Sequence, residues 1–255
     1  MEIVFFVLAG AAVGLAVGVT GVGGGSLMTP LLILFGIPYN VAIGTDLLYA
    51  AITKAGGASA HKRQGTIRWR LVALLALGSI PASLITALLL DRVFTDAGEY
   101  EALLTHSLGA MLIVTSAVLL FKRRIQAGAA QSWVYRHAKI VTWVAGIVLG
   151  VLVTLSSVGA GAFCAALLLL LYPHLPPLHV VGTDIAHAVP LTLIAGLGHL
   201  IFLGNVDFEL LACLLLGSLP AVHYGAKLGA RLPSRVLQPI LASLLLSLGV
   251  KFAFF

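Results

Sequence analysis

Charged side chains are scarce in this chain of 255 residues: Asp, Glu, Lys and Arg together make up only 9% of it, while hydrophobic residues make up 60%. A soluble domain carries roughly 25% charged residues, so this chain lacks the charge to cover a water-facing surface. The mean hydropathy is +1.09, and apolar runs of the ~20 residues that cross a ~30 Å hydrocarbon core recur throughout. The sequence predicts an all-α, polytopic integral membrane protein.

Cysteine is also rare, and the two that occur, Cys164 and Cys213, both lie inside apolar segments. No spacing of Cys and His residues is typical of a metal site, so no metal or cofactor is expected. The formal net charge is +6, but the basic residues sit in short loops, where membrane topology explains them without a nucleic-acid partner. Met1 and Glu2 provide no basic region before the first apolar run, which argues against a cleaved signal peptide.

The apolar segments form two sets of five. The first set lies near 3–19, 26–35, 41–60, 69–90 and 102–121, and the second near 140–156, 160–172, 180–203, 208–225 and 235–255. We expect a first membrane repeat over 1–125, a linker over 126–139 and a second membrane repeat over 140–255.

The charges of the loops predict the orientation of the segments. Loops 61–70, 122–139 and 226–235 hold 12 of the 15 Lys and Arg residues, and short basic loops stay in the cytoplasm. Acidic residues dominate 91–101 and 204–209, which then lie outside by alternation. Counting the segments back from loop 61–70 places the N-terminus outside as well.

Two longer stretches must leave one side of the membrane and return to it. They are 3–35 and 140–172, and each contains a glycine-rich break near its middle. Each is either a pair of thin spans or a re-entrant hairpin of broken helices.

Comparison of the chain with itself reveals an internal repeat. A shift of 138 residues aligns Pro38 with Pro176 and the triplet Gly44-Thr45-Asp46 with Gly182-Thr183-Asp184. One further residue of shift aligns GSIPA at 78–82 with GSLPA at 217–221. Because each half has an odd number of segments, the halves have opposite orientations. Inverted-topology repeats of this kind are typical of secondary transporters.

The paired glycine breaks are the candidate substrate site. Unwound backbone at membrane depth is tolerated only where it lines a cavity or is buried in protein, and the helix that follows presents free N–H groups that attract anions. Glycines spaced by four, Gly10, Gly14 and Gly18, are instead interpreted as helix-packing positions. The candidate substrate-binding residues are Gly23, Gly24, Gly25, Ser26, Thr29, Ser156, Ser157, Gly159 and Gly161.

Asp46 and Asp184 are carboxylates inside apolar segments at equivalent repeat positions. Ionisable residues within the membrane are functional by default, although an Asp near the start of a helix is also a common cap. Both interpretations remain open at this stage, as coupling or as structural residues. The same choice applies to four further residues, Thr45, Thr183, Lys54 and His187.

The neighbouring basic side chains have alternatives of their own. Lys54 either shares a helix face with Asp46 or snorkels to the inner surface. His187 lies at i+3 from Asp184, where the pair could relay protons. His61 and His199 align in the repeat and are expected near the membrane interface.

The stretch GVGGGSLMTPLLILFGIPYNVAIGTDLL, with its divergent copy SSVGAGAFCAALLLLLYPHLPPLHVVGTDIAHAVP, resembles the TauE/SafE family of bacterial membrane transporters over nearly the whole chain. The resemblance implies export of sulfite, or transport of organosulfonates, across the cytoplasmic membrane. The expected function is a secondary transporter in the lipid bilayer that exports a small sulfur anion by alternating access, coupled to the proton gradient. Whether it is a homodimer stays open.

A passive anion channel of the same fold is the nearest alternative. An intramembrane aspartyl protease would use two aspartates that share a proton, but its Gly-x-Gly-Asp pattern is replaced here by Gly-Thr-Asp. The glycine cluster also lacks the Lys of a nucleotide-binding loop. We therefore expect a protein that is not an enzyme.

Overall fold

The computed structural model describes residues 2–20, 25–94, 97–128, 137–229 and 234–254. Every regular element within these ranges is an α-helix. In chain order they are α1 (Glu2–Thr20), α2 (Gly25–Leu34), α3 (Tyr39–Arg63), α4 (Trp69–Val93), α5 (Ala97–Gly128), α6 (Ala138–Ser156), α7 (Ala162–Leu171), α8 (Pro177–Ile201), α9 (Phe208–Gly229) and α10 (Ser234–Phe254).

The helix lengths agree with a polytopic membrane protein. Among the described residues, five helices are long and apolar enough to cross a membrane: α4, α5, α6, α8 and α9. Helix α3 has the 25 residues needed for a crossing, about 37 Å at 1.5 Å per residue, but it carries charged residues in its interior. By contrast, α2 and α7 have only 10 residues each, which is about half of a bilayer core.

Each broken segment starts and finishes at the same end of the molecule. Near the start of α1, the Phe5 ring packs edge-on against Phe35, which follows α2, with ring centroids 4.6 Å apart. In the second half, the Thr142 and Tyr172 hydroxyls share a hydrogen bond of 2.9 Å that joins the start of α6 to the end of α7. The excursion and return expected for 3–35 and 140–172 are therefore present.

We call the two ends of the molecule the acidic end and the basic end. The acidic end contains the α2–α3 turn, the start of α5 and the α8–α9 loop, and the basic end contains the α3–α4 turn and the start of α8. The proposed linker at 126–139 overlaps the end of α5 and otherwise lies largely outside the described residues.

Glycine allows the first helix of each half to lie directly against the fourth helix of the other half. Gly14 of α1 faces the backbone of Ser218 in α9, and Gly150 of α6 faces the backbone of Ser79 in α4. Gly10 meets Leu214 in the same way that Gly146 meets Leu75. A Cβ atom at any of these glycines would collide with backbone, so the packing role expected for Gly10 and Gly14 is confirmed.

We predict that Gly14→Ala destabilises the protein, because a Cβ atom at Gly14 would lie 2.7 Å from the Ser218 Cα atom. Overpacking of this kind typically costs about 1–3 kcal/mol, and it should lower the apparent melting temperature in detergent by several degrees. Gly56→Ala is the matched control, because no atom lies within 4 Å of its added Cβ atom. An equal loss in both variants would contradict the contact.

Candidate functional site

Asp46 is the point at which the two broken segments meet. Its carboxyl group is fully buried in α3 and accepts a hydrogen bond from the Thr29 hydroxyl of α2. Ser157, in the break between α6 and α7, neighbours the same carboxyl group. The two glycine breaks, which are far apart in the sequence, therefore converge on one aspartate.

Neither intramembrane aspartate is a helix cap. Helix α3 begins at Tyr39 with Pro38 in the cap position, and α8 begins at Pro177 with Pro176 in the cap position. The aspartates lie two turns inside these helices, where backbone N–H groups are already paired within the helix. The capping interpretation of the sequence is therefore wrong, and both carboxyl groups face the protein interior.

The second break is held open by its own side chain and backbone. Helix α6 ends at Ser156, and Ser157 adopts a left-handed conformation with φ of 56°, which is uncommon for a residue other than glycine. The Ser156 hydroxyl donates to the Leu152 carbonyl at 2.6 Å and accepts from the Val158 N–H at 3.2 Å. Ser156 is thus a structural residue of the break, whereas the Ser157 hydroxyl is buried beside the Asp46 carboxyl group.

Glycine is required at one position in this break. Gly159 has φ of 118°, a conformation that side chains disfavour, and an added Cβ atom would also lie 2.8 Å from the Met111 methyl group. Gly161 immediately precedes α7. Of the candidates in the first break, Gly25 opens α2 and Ser26 is buried, while Gly23 and Gly24 lie outside the described residues.

Lys54 joins α3 to the second break. Its ammonium group donates a hydrogen bond of 2.7 Å to the Ala160 carbonyl, and it lies close enough to Asp46 and Asp184 to interact with both charges. It therefore does not snorkel to the surface. Its repeat equivalent is Thr192, whose hydroxyl donates to the Ala188 carbonyl of its own helix, so the cation has no counterpart in the other half.

Asp184 forms the second acidic position of the site. It is 5% exposed, and the Cys164 thiol of α7 neighbours its carboxyl group. One oxygen of each aspartate, Oδ1 in both, is buried without a hydrogen-bond partner. Sequence analysis assigned Cys164 no role beyond its place in an apolar segment, although the 138-residue shift aligns it with Ser26.

The histidines take only some of the places expected of them. His187 Nε2 lies 2.9 Å from the Ser79 hydroxyl of α4, so His187 bonds across to another helix and does not form the relay pair expected with Asp184. His199 is fully buried and its Nε2 atom lies 2.9 Å from the Thr154 carbonyl. His199 lies in the last turn of α8, near the end of the span as expected, but its ring packs inside the protein, whereas His61 is half-buried beside Thr66 at the basic end.

Thr45 and Thr183 fix loops to the opposite half. The Thr45 hydroxyl accepts from the Asp207 N–H at 3.1 Å, and the Thr183 hydroxyl accepts from the Arg68 N–H at 3.0 Å. These are equivalent contacts, since each threonine binds the loop that follows the third helix of the other half. Of the two roles left open by the sequence, the structural one fits both threonines.

Three polar side chains close the acidic end. The Asn40 side-chain amide donates to the side-chain oxygen Oδ1 of Asn205 at 2.7 Å. The side-chain amide of Asn205 in turn donates to the Tyr100 hydroxyl at 2.8 Å. We call this chain, which links α3, the α8–α9 loop and α5, the acidic-end latch. Sequence reasoning missed it, because single polar residues near helix ends carry no distinguishing pattern.

The two central helices, α3 and α8, are covered unequally. The second half of α8 packs under α4, where a Cβ atom at Gly198 would meet Ala87. The matching half of α3 is open, because Ser59 and Ala60 are exposed and the Cβ position of Gly56 has no neighbour within 4 Å. The uncovered surface begins beside Lys54 and runs to the basic end.

Comparisons with known proteins agree with one another. The family model described as "Sulfite exporter TauE/SafE" matches residues 6–252. Two similar proteins of Bacillus subtilis (strain 168) are the probable membrane transporter protein YjnA, 39% identical over 97% of this chain and 98% of its own length, and the probable membrane transporter protein YdhB, 31% identical over 91% and 95%. No solved structure matches the chain. The chain belongs to the TauE/SafE family of membrane transporters.

Proposed function

We propose that the protein is a secondary transporter that carries a small sulfur anion, sulfite or an organosulfonate, across the bacterial cytoplasmic membrane. The observation that carries this proposal is the convergence of both helix breaks on two buried aspartates and the half-buried Lys54. The family model that matches is named for sulfite export, which supports a sulfur oxyanion as the cargo. The proposed movement is export, with a proton as the coupling ion.

Two features of the cluster suit an anion. Lys54 supplies a positive charge, and its single described hydrogen bond, to the Ala160 carbonyl, leaves two of its three ammonium hydrogens for a ligand. The backbone turn before α7 places the N-terminal end of that helix beside the same carbonyl, and helix N-termini favour negative charge. The buried Ser157 hydroxyl, which neighbours the Asp46 carboxyl group, adds a donor to the same wall.

The reciprocal contacts between the halves support an inverted repeat. Gly14 on Ser218 corresponds to Gly150 on Ser79, and Thr45 on the Asp207 N–H corresponds to Thr183 on the Arg68 N–H. Two similar halves that pack against one another can rock about a shared central site, which is the usual basis of alternating access.

The unequal ends suggest a route for the anion. The acidic-end latch joins the helices at one end, and the face of α3 between Lys54 and the basic end is uncovered. In the proposed orientation the basic loops lie in the cytoplasm, so the proposed route for an anion runs along this uncovered face from inside the cell.

Transport by purified protein in liposomes tests the proposal. We expect sulfite, sulfoacetate, taurine, thiosulfate and sulfate to differ in flux, with at least one sulfur anion moving faster than in protein-free liposomes. An imposed pH gradient should accelerate that flux, and a protonophore should abolish the acceleration. Flux that does not change with the imposed pH gradient would instead favour a passive anion channel. Absence of flux for all of these anions would refute the proposal.

Cross-linking of the acidic-end latch gives a test of the alternating-access step. In the double variant Asn40→Cys/Asn205→Cys, the two thiols replace side chains whose terminal atoms lie 2.7 Å apart, so a short bis-methanethiosulfonate cross-linker should join them through two disulfides. We expect transport to fall at least about tenfold on cross-linking and to recover on reduction. Each single variant, treated in the same way, is the control, and full activity of the cross-linked double variant would show that this end need not open.

A further inference from the structure

The charged groups of the candidate site can be counted. Asp46 and Asp184 are buried, and Lys54 lies near both of them. The other titratable groups that face this set are Tyr49 beside Asp46, Cys164 beside Asp184 and His187 beside Lys54. Tyr49, Cys164 and His187 all favour the neutral form when buried in a weakly polar interior, so the net charge depends on the two aspartates and the lysine.

A buried cluster is most stable when its net charge is zero, because an uncompensated ion loses its hydration without gaining a partner. In the empty site, Lys54 is balanced by one ionised aspartate, and the other aspartate carries a proton. Either carboxyl group can hold that proton, because Lys54 interacts with both aspartates.

An arriving anion changes this balance. A ligand with a single negative charge can itself balance Lys54, so the remaining ionised aspartate must take up a proton for the site to stay neutral. A ligand with two negative charges cannot be balanced in this way, because after both aspartates are protonated the site retains one excess negative charge.

We infer that the site takes up a singly charged sulfur anion together with one proton, and that it rejects dianions of the same size. This inference rests on the proposed function and narrows its substrate class. The favoured ligands are alkanesulfonates without a second acidic group and hydrogen sulfite, which carry one negative charge. Sulfate, thiosulfate, sulfoacetate and fully ionised sulfite carry two and are disfavoured.

The inference also assigns the relation between anion and proton. Because both enter the neutral site together, they cross the membrane in the same direction, and the loaded site carries no net charge. Export would then be driven by accumulation of the anion inside the cell, a lower pH outside would oppose it, and the membrane voltage would contribute nothing.

Calorimetric titration of the full-length purified protein tests this directly with two ligands of similar size. Methanesulfonate is the monoanion and sulfate is the matched dianion. We expect methanesulfonate to bind at least about 100-fold more tightly, with about one proton taken up per bound anion. The proton count comes from repeating the titration in buffers with different enthalpies of ionisation.

The outcomes separate the inference from the proposed function. Binding of sulfate as tight as that of methanesulfonate, or binding of methanesulfonate without proton uptake, would overturn the inference while leaving an anion transporter in place. Failure of methanesulfonate, hydrogen sulfite and sulfate all to bind would overturn the proposed function itself. The Asp91→Asn variant, which changes an exposed carboxyl group, should reproduce the proton count of the unaltered protein.

Discussion

Replacement of Lys54 by Met should weaken methanesulfonate binding by about 100-fold or more. The variant removes the positive charge described at the site and leaves the two aspartates without a counter-ion. Breaking a buried charge pair by removing one partner typically costs about 3–5 kcal/mol, and every 1.4 kcal/mol corresponds to about tenfold in affinity. Lys54→Arg keeps the charge and should retain part of the affinity, although its planar fork fits the Ala160 carbonyl less well.

The matched control for this prediction is Lys251→Met, which removes a lysine that is exposed on α10. It changes the net charge of the protein by the same amount and should leave binding within about twofold, because exposed charges contribute little. Thermal unfolding of each variant shows whether the protein still folds. Normal methanesulfonate affinity in a folded Lys54→Met protein would show that the anion binds elsewhere.

Replacement of both aspartates by Asn should separate binding from the proton. In Asp46→Asn/Asp184→Asn the site keeps Lys54 and loses every carboxyl group that can bind a proton, so the anion becomes the counter-ion of Lys54 at any pH. We expect methanesulfonate to bind at least as tightly as in the unaltered protein, without proton uptake and with about the same affinity from pH 5 to pH 8. Transport should lose its response to a pH gradient.

The single variants provide the sharper comparison. Asp46→Asn and Asp184→Asn each leave one carboxyl group, which is enough to balance Lys54 in the empty site and to bind one proton when the anion arrives. Each should therefore still take up about one proton per anion. Loss of proton uptake in only one single variant would assign the proton to that aspartate alone and contradict the expectation that either carboxyl group can hold it.

Much of the fold could be predicted from the sequence, because hydropathy and glycine breaks act locally. The expected segment near 69–90 corresponds to α4 at Trp69–Val93, and the short segment near 160–172 corresponds to α7 at Ala162–Leu171. A long apolar run in lipid must form a helix, because no water is present and its backbone N–H and C=O groups must hydrogen-bond within the segment. Glycine and Ser-Ser pairs then mark where that helix ends.

The partners of the polar residues could not be predicted, since they depend on which helices lie side by side. The i+3 spacing of His187 suggested that Asp184 is its partner. Because α8 packs against α4, His187 instead hydrogen-bonds with Ser79. Asp46 looked equally suited to capping, because the sequence did not reveal that α3 starts two turns earlier. The Lys54 contact with Ala160 joins residues 106 positions apart, and no local pattern encodes it.

The most direct test of the account measures anion and proton movement together in liposomes that contain the purified protein. Methanesulfonate is added outside, its uptake is followed with an isotopic label, and the internal pH is followed with a trapped indicator. Co-entry of an anion and a proton predicts internal acidification in a ratio of about one proton per anion, unchanged when a potassium gradient and an ionophore impose a voltage. Uptake that follows the voltage and leaves the internal pH constant would contradict it.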